Sequence, residues 1–247
     1  MKIIFLKREV KYIMNIKKTI IGNIPLLIWG EKKKKVYIAI HGNMSNKEDN
    51  VIKIFANIIT KKDYQLISFD LPEHGERKDD TEYLCKVQNC VNDLSIVMDY
   101  AKRNYEEISI WACSMGAYFA LLSYADEDIK KSIFLSPVVD MKVIIDNMMR
   151  WSNISEKELE EKKEIVTEFG QTLYFDYYSY VINHPIIKWN KNTSILYGSD
   201  DNMQEESIIN NFSNKFNCDL TIYKGGEHFF HTKEQLAFYK EWLENIV

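Results

Sequence analysis

Ser114 lies in the segment Ala112-Cys113-Ser114-Met115-Gly116, which has the local sequence of a nucleophile on a strand–turn–helix. An apolar β-type run precedes this segment, and a run of helical character follows it. A serine between two such elements lies on a sharp turn, which lifts its hydroxyl above the end of a sheet. Small residues two positions before and after it, Ala112 and Gly116, avoid the neighbouring strand and helix. The sequence therefore predicts a hydroxyl placed for nucleophilic attack.

An isolated serine hydroxyl is a poor nucleophile at neutral pH and needs a general base. His228 is the first candidate, because it follows the last predicted strand in the segment Gly225-Gly226-Glu227-His228-Phe229-Phe230. The two glycines let the backbone turn back toward the end of the sheet. His231 is the alternative, but it directly precedes Thr232, the predicted cap of the last helix. We therefore expect His228 to be the base and His231 to face solvent.

The imidazole in turn needs a carboxylate that holds its tautomer and stabilises its cation. The preceding predicted strand ends at Tyr197-Gly198 and is followed by Ser199-Asp200-Asp201. Asp200 and Asp201 are adjacent in the chain and cannot both face the histidine. The spacing Gly-x-x-Asp favours Asp201 as the acid, with Asp200 as a loop or helix-capping residue.

A tetrahedral oxyanion requires two N–H donors that are in place before the reaction. One is expected from the backbone amide of Met115, at the start of the helix after the serine. The other is expected from Asn43, in the segment His41-Gly42-Asn43 after an early strand, where glycine permits a close approach. His41 and His74 are interpreted as structural residues that tie their loops to the end of the sheet.

Strands and helices alternate along the chain, which predicts a mostly parallel central sheet flanked by helices. In such sheets ligands bind beyond the carboxyl ends of the strands, where every candidate catalytic residue falls. Residues 1–9 are expected to be an edge strand or a loose extension, and 10–22 with 24–30 an antiparallel pair. The further predicted strands are 35–40, 65–69, the run that begins at Ile108, 132–135, 194–197 and 219–223. The predicted helices are 47–60 (capped by Ser45 with Glu48), 82–104, the segment after Ser114, a segment after Gln204, and 232–246 (capped by Thr232 with Gln235).

Residues 138–190 interrupt this alternation and predict a helical lid, inserted after the sixth strand. Residues 1–137 and 191–247 would then form one core domain. The insertion is too long for an ordinary connection and too helical for a linker. Its methionines and aromatic residues predict an apolar cleft over the serine that suits an acyl or aryl group. The expected substrate contacts are Met148, Trp151, Tyr174 and Tyr178.

A charged helix is predicted inside the insertion, over residues 156–168, with Ser155 and Glu158 as its cap. Its glutamates are typical of a solvated helix face. The alternative is that one of them binds the α-amine of an aminoacyl substrate. The candidates are Glu156, Glu158, Glu160, Glu161 and Glu164, and their spacing selects none of them.

Together these segments resemble the α/β-hydrolase-fold serine hydrolases, in particular the lid-bearing group of monoacylglycerol-lipase-like esterases and serine aminopeptidases. The matching segments occur in the family's order and span nearly the whole chain. They are His41-Gly42-Asn43, residues 70–75 (D-L-P-E-H-G), 112–116 (A-C-S-M-G), 197–201 (Y-G-S-D-D) and 225–229 (G-G-E-H-F). The order serine, aspartate, histidine is also the family's. Ala112 stands where the motif usually has glycine, which is the mildest possible departure.

The resemblance implies a serine hydrolase in which Ser114, His228 and Asp201 cleave a carboxylic ester of small or medium size. It implies an acyl-enzyme intermediate and no metal or organic cofactor. An aminopeptidase or amidase and a thioesterase use the same residues, so the motifs do not separate these activities. A different alternative is a ligand-binding protein that keeps the fold without turnover, against which the complete set of catalytic residue types argues.

Composition and charge bear on the remaining classes of function. The formal net charge of −4 gives no reason to expect nucleic-acid binding. No apolar run approaches the roughly 20 residues of a membrane span, and the apolar residues of 1–6 are too few for a secretory segment. The four cysteines have neither zinc-type spacing nor the density of a disulfide scaffold. We therefore expect a cytoplasmic protein with reduced cysteines.

Overall fold

The computed structural model describes residues 14–247, which form a central sheet of eight strands. The strands in chain order, with a separate hairpin of β7 and β8, are β1 (Ile16–Ile21), β2 (Ile24–Trp29), β3 (Lys35–Ile40), β4 (Tyr64–Phe69), β5 (Glu107–Cys113), β6 (Ser132–Leu135), β7 (Glu164–Val166), β8 (Thr172–Tyr174), β9 (Thr193–Gly198) and β10 (Asp219–Tyr223). Across the sheet the order is β1-β2-β4-β3-β5-β6-β9-β10. The pairs β1–β2 and β2–β4 are antiparallel and the other neighbours are parallel. The predicted fold class, α/β with a mostly parallel sheet, is confirmed.

Helices cover both faces of this sheet. They are α1 (Asn50–Ile59), α2 (Val87–Asn104), α3 (Met115–Ser123), α4 (Met141–Trp151), α5 (Glu156–Lys162), α6 (Phe175–Asn183), α7 (Glu206–Phe216) and α8 (Lys233–Ile246), with one 3-10 turn at Gly75–Arg77. In β3, Ile38 and Ile40 belong to the core on the α2 and α3 side, whereas Tyr37 and Ala39 belong to the core against α1 and α8. Because both faces are buried, the central strands are apolar at successive positions.

Two helices begin later than the sequence predicts. Helix α1 starts at Asn50 rather than near 47, because the Asp49 carboxylate accepts from the Val51 amide and caps it at 3.3 Å. The Ser45 hydroxyl instead donates to Asp49, so the predicted Ser45–Glu48 box does not form the cap. Helix α2 starts at Val87 rather than near 82, since the preceding residues form a loop bonded to the Asp80 carboxylate.

The insertion between β6 and β9 contains α4, α5, the antiparallel hairpin β7–β8, and α6. The predicted charged helix is capped by Ser155, as expected, but ends at Lys162 instead of 168. Lys163 has φ +68°, a left-handed conformation that stops the helix and turns the chain into the hairpin. The capping box of Thr232 with Gln235 at the start of α8 is confirmed. The predictions for residues 1–9 lie outside the described residues.

Candidate active site

Ser114 occupies the turn between β5 and α3 in a strained backbone conformation, with φ +51° and ψ −124°. Its amide donates to the Leu135 carbonyl at 3.1 Å, and its carbonyl accepts from the Val138 amide at 3.0 Å. A Cβ atom at Gly116 would lie 2.3 Å from the His41 carbonyl oxygen, so no other residue fits there without moving the backbone. Strained residues of this kind persist where surrounding bonds hold them, and they cluster at functional sites.

A continuous chain of hydrogen bonds links the three predicted catalytic side chains. The Ser114 Oγ lies 2.8 Å from Nε2 of His228. The Nδ1 of the same imidazole lies 2.7 Å from Oδ2 of Asp201. With Nδ1–H donating to the carboxylate, Nε2 is the acceptor for the serine hydroxyl proton, which is the arrangement of a general base. The residues follow β5, β9 and β10, so three strands deliver them to the carboxyl edge of the sheet.

The loop that carries Asp201 and the loop that carries His228 are held together through their backbones. The Asp200 amide donates to the Gly226 carbonyl at 2.8 Å, and the Ser199 amide donates to the Tyr223 carbonyl at 3.0 Å. A Cβ atom at Gly198 would lie 2.2 Å from the Gly226 oxygen. Glycine at 198 is therefore required for this approach, which sets the separation between the aspartate and the histidine.

Asp201, rather than Asp200, faces the imidazole. Its side chain is 1% exposed, and its Oδ1 accepts from the Met203 amide at 2.8 Å while Oδ2 accepts from His228. Asp200 is exposed, and its carboxylate accepts from the Ser199 hydroxyl. His231 is likewise exposed and donates through Nδ1 to the carbonyl oxygen of its neighbour two residues back at 2.8 Å. The structure therefore brings neither Asp200 nor His231 into the chain of bonds.

The residues predicted to supply the oxyanion donors, Asn43 and Met115, line the same cavity as Ser114. Met115 is the first residue of α3, so its amide has no partner within the helix. The loop of Asn43 packs directly on the serine, since a Cβ atom at Gly42 would lie 2.9 Å from the Ser114 Cβ.

His41 holds this loop as a neutral imidazole. Its Nδ1 donates to the Gly42 carbonyl at 2.7 Å, and its Nε2 accepts from the Leu71 amide at 3.1 Å. Burial lowers the pKa of His41 to about 4, so the ring carries no charge at neutral pH. The His41 ring connects the loop of Asn43 to the loop after β4.

His74 makes the second connection between these loops. Its Nδ1 donates to the Pro72 carbonyl at 2.7 Å, and its Nε2 accepts from the Met44 amide at 3.2 Å. Burial opposes the charged ring, but the neighbouring Cys85 side chain and the Pro72 carbonyl outweigh it and raise the pKa of His74. Both histidines thus have the structural bonds that the sequence interpretation assigned to them.

A buried ion pair that the sequence analysis did not identify supports the loop that carries His74. Asp70, 0% exposed, accepts from the side chain and the backbone amide of Lys47 and from the Glu76 amide. A Cβ atom at Gly75, which has φ +55°, would lie 2.2 Å from this carboxylate. The loop therefore closes around Asp70. Lys47 and Asp70 are far apart in the sequence, so no local sequence pattern predicts this ion pair.

Ser114 opens onto a cavity of about 600 Å³, a volume typical of small-molecule sites. One wall is the apolar face of α4, formed by Met141, Ile144, Ile145 and Met148. Met141, Ile144 and Ile145 were not among the predicted contacts. The spacing i, i+3, i+4, i+7 of the four residues is the sequence signal that predicts such an apolar helix face. Leu173, Tyr174 and Tyr177 also line the cavity.

Of the four predicted substrate contacts, the structure brings two to this cavity. Met148 and Tyr174 line it. Trp151 is 67% exposed at the end of α4, and Tyr178 is buried with its hydroxyl donating to the Asp146 carboxylate at 3.2 Å. Neither of them lines the cavity: Trp151 is the last residue of α4, and Tyr178 lies on a different face of α6 from its neighbour Tyr177, which does line it.

The cavity carries little charge. Glu73 is the only carboxylate, and no lysine or arginine appears, among its lining residues in the described part of the chain. The glutamates of α5 do not line it; Glu158 pairs with Lys162 on the exposed helix face. Within residues 14–247 no cluster of side chains could hold a metal ion, and none of their helices is long and apolar enough to cross a membrane.

No protein-family model and no curated protein sequence matches this chain. Solved structures do. Est1E from Butyrivibrio proteoclasticus, in a structure with bound ferulic acid, is 20% identical, with a TM-score of 0.74 over 93% of this chain and 96% of that one. Mouse alpha/beta hydrolase domain-containing protein 10 is 15% identical, with a TM-score of 0.74 over 94% and 98%. An esterase from Pyrococcus furiosus is 17% identical, with a TM-score of 0.65 over 96% and 89%. The chain therefore has the α/β-hydrolase fold.

Proposed function

We propose that this protein is a serine hydrolase that cleaves a carboxylic ester of small or medium size through an acyl-enzyme intermediate. The observation that carries the proposal is the chain of bonds from Ser114 Oγ through His228 to Asp201, at 2.8 and 2.7 Å. A binding protein has no use for a base and an acid aligned behind a strained serine. The esterases among the similar structures support the same reading.

The proposed reaction uses this geometry. The Ser114 oxygen attacks the acyl carbon while His228 Nε2 takes its proton, and Asp201 stabilises the imidazolium. The amides of Asn43 and Met115 hold the negative charge on the carbonyl oxygen. The imidazolium then protonates the leaving alcohol, and the acyl group stays on the serine. His228 next removes a proton from water, whose oxygen attacks the acyl carbon and releases the acid and Ser114.

The cavity indicates the substrate class. Its apolar walls on α4 and β8 suit an aliphatic or aryl group, because binding a charged group there would leave it without a partner. The ferulic acid bound to Est1E makes esters of aromatic carboxylic acids a reasonable first set of substrates. We further propose that residues 138–190 act as a lid on the core formed by 1–137 and 191–247, since α4 and β8 supply the walls above Ser114.

Other leaving groups use the same catalytic residues. A thioesterase has no feature here that separates it from an ester hydrolase. An aminopeptidase would need a carboxylate for the substrate amine, and Glu73 is the lining residue that could serve. Its Oε2 accepts from the Cys85 amide at 2.5 Å. Matched ester, thioester and aminoacyl amide substrates of one acyl group would rank the three activities.

The experiment that tests the proposal is labelling with a small fluorophosphonate, read by intact mass. Attack by an activated serine on phosphorus expels fluoride and leaves one phosphonyl adduct. Wild type is expected to gain one adduct and Ser114→Ala none. Equal labelling of both proteins would place the nucleophile elsewhere. Absence of labelling on wild type, together with saturable ligand binding that Ser114→Ala retains, would establish the non-catalytic alternative.

A further inference from the structure

Two cysteines touch at the edge of the cavity. Lys86 is the N-cap of α2, so Cys85 precedes the cap and Cys90 is the fourth helical residue. These two positions meet across the first turn of a helix, where apolar pairs often fix the entry of the chain. Here the two sulfur atoms lie 3.6 Å apart.

The two thiols have different surroundings. Cys85 lines the cavity that Ser114 opens onto, and Cys90 is 0% exposed. The hydrogen bond from the Cys90 thiol, assisted by the adjacent His74, lowers the pKa of the Cys85 thiol to about 6 in spite of its burial. Burial and the same bond raise the pKa of Cys90. The sulfur with the lowered pKa therefore lines the cavity, and the other is a buried thiol in contact with it.

The other two cysteines lack both properties. Cys113 is the last residue of β5, and burial raises its pKa far above the usual range for a thiol. Burial raises the pKa of Cys218 to about 11, and its sulfur has only a weak contact with the Phe216 carbonyl at 3.9 Å. The chain thus contains matched controls of the same residue type.

We propose that Cys85 and Cys90 form a redox-active dithiol in the cavity wall, which a small hydroperoxide oxidises to a disulfide. The Cys85 thiolate attacks the outer peroxide oxygen, the O–O bond breaks, and the alkoxide takes a proton and leaves as the alcohol. The Cys85 sulfur now carries the outer peroxide oxygen and its hydrogen as a sulfenic acid. The Cys90 sulfur then attacks the Cys85 sulfur, the S–O bond breaks, and the Cys90 thiol proton leaves with the hydroxyl as water. Two thiols are oxidised and one peroxide is reduced.

The disulfide changes the cavity because of what Cys85 contacts. An S–S bond of about 2.0 Å requires the sulfur atoms, now 3.6 Å apart, to approach by about 1.6 Å. Cys90 lies in the core, so Cys85 makes most of the movement. The His74 ring accepts a hydrogen bond from the Met44 amide, in the loop of Asn43. The Glu73 carboxylate accepts one from the Cys85 amide. The oxidised and reduced proteins therefore differ at the wall next to Ser114.

The test uses thiol chemistry as its main readout and does not depend on hydrolysis. Reduced wild-type protein is treated with hydrogen peroxide in small molar excess, blocked with iodoacetamide, and cut with trypsin without reduction. Cleavage after Lys86 separates the two cysteines into different peptides. We expect a cross-linked pair of these peptides, an intact mass lower by two hydrogen atoms, and full reversal by a dithiol reductant. Cys218→Ser should behave as wild type.

The variants separate the two steps. In Cys90→Ala the sulfenic acid has no partner, so Cys85 should gain one oxygen atom and react with dimedone. Circular dichroism establishes whether Cys90→Ala, a change at a buried position, still folds. The peptide map of the wild-type protein tests the disulfide independently of this variant. A disulfide that involves Cys113 or Cys218 would overturn the proposal. So would peroxide treatment of wild type that leaves the thiols of Cys85 and Cys90 free. Fluorophosphonate labelling of the reduced protein reports on Ser114 separately, so failure of either proposal is visible by itself.

Discussion

The carbonyl oxygen of Gly226 occupies the space where a side chain at Gly198 would begin, 2.2 Å from the position of its Cβ atom. These two glycines join the loop that carries Asp201 to the loop that carries His228. A methyl group at 198 must therefore separate the loops and lengthen the bond between acid and base.

Gly198→Ala is expected to lower kcat/KM by roughly 100-fold, because small displacements of catalytic groups have effects of that order. Steady-state kinetics on an aryl ester provide the measurement. Asn202→Ala, at an exposed position in the same loop, is the matched control and should retain activity. Normal activity in Gly198→Ala would show that the loop contact does not set the catalytic geometry.

Asp201→Asn and Asp200→Asn form a pair of neighbouring isosteric changes. Loss of the Asp201 carboxylate should lower kcat by about 10⁴-fold, because the imidazole loses the partner that orients it and stabilises its cation. The Asp200 carboxylate is exposed and accepts from the neighbouring Ser199 hydroxyl, so its variant should differ from wild type by less than about twofold. The reverse ranking would move the acid by one residue.

His228→Ala should reduce kcat by about 10⁴-fold or more and also abolish fluorophosphonate labelling, since the serine then lacks its base. His231→Ala should retain most activity, because this exposed ring stacks on Phe229, bonds its carbonyl and lies 3.4 Å from the Glu227 carboxylate, outside the chain of bonds to Ser114. Both variants should show wild-type circular dichroism. Near-total loss of activity in His231→Ala would contradict the assignment of the base.

Met148→Ala removes an apolar side chain from the cavity wall, while Trp151→Ala removes an exposed one from the same helix. The first change should lower kcat/KM by about 10-fold for an ester with a medium acyl chain, and much less for the acetyl ester. The second should leave both values unchanged. Equal effects of the two variants would place the acyl group outside this cavity.

The neutral state of His41 predicts how stability depends on pH. Its pKa is about 4 in the folded protein and near 6.5 in the unfolded chain, so between these values only the unfolded state binds the proton. The free energy of unfolding should therefore fall as the pH decreases, by about 2 kcal/mol from this group between pH 7 and pH 5. Urea unfolding of wild type and His41→Gln at both pH values measures it. Equal falls in the two proteins would contradict the assignment, as would an NMR titration of His41 with a midpoint near 6.5.

Local sequence determined much of the fold. The strands at 35–40, 132–135 and 219–223 and the capping box at Thr232 are found where predicted, because their signals are runs and spacings of neighbouring residues. Where prediction went wrong, a competing local contact decided. Asp49 replaced Ser45 as the cap of α1, and Lys163 ended α5 by adopting a left-handed backbone.

The site divides in the same way. The sequence by itself determined that a serine turn, an aspartate loop and a histidine loop follow three strands, because each motif is continuous in the chain. It favoured Asp201 over Asp200 and His228 over His231, but kept the second residue of each pair as an alternative. Only the tertiary structure decided between them, through the contact of Gly198 with Gly226 that aims one side chain of each loop at the other. The pairing of Cys85 with Cys90 and the closure of loop 70–75 on Lys47 were likewise decided in three dimensions, since a motif's spacing does not specify the direction of a side chain.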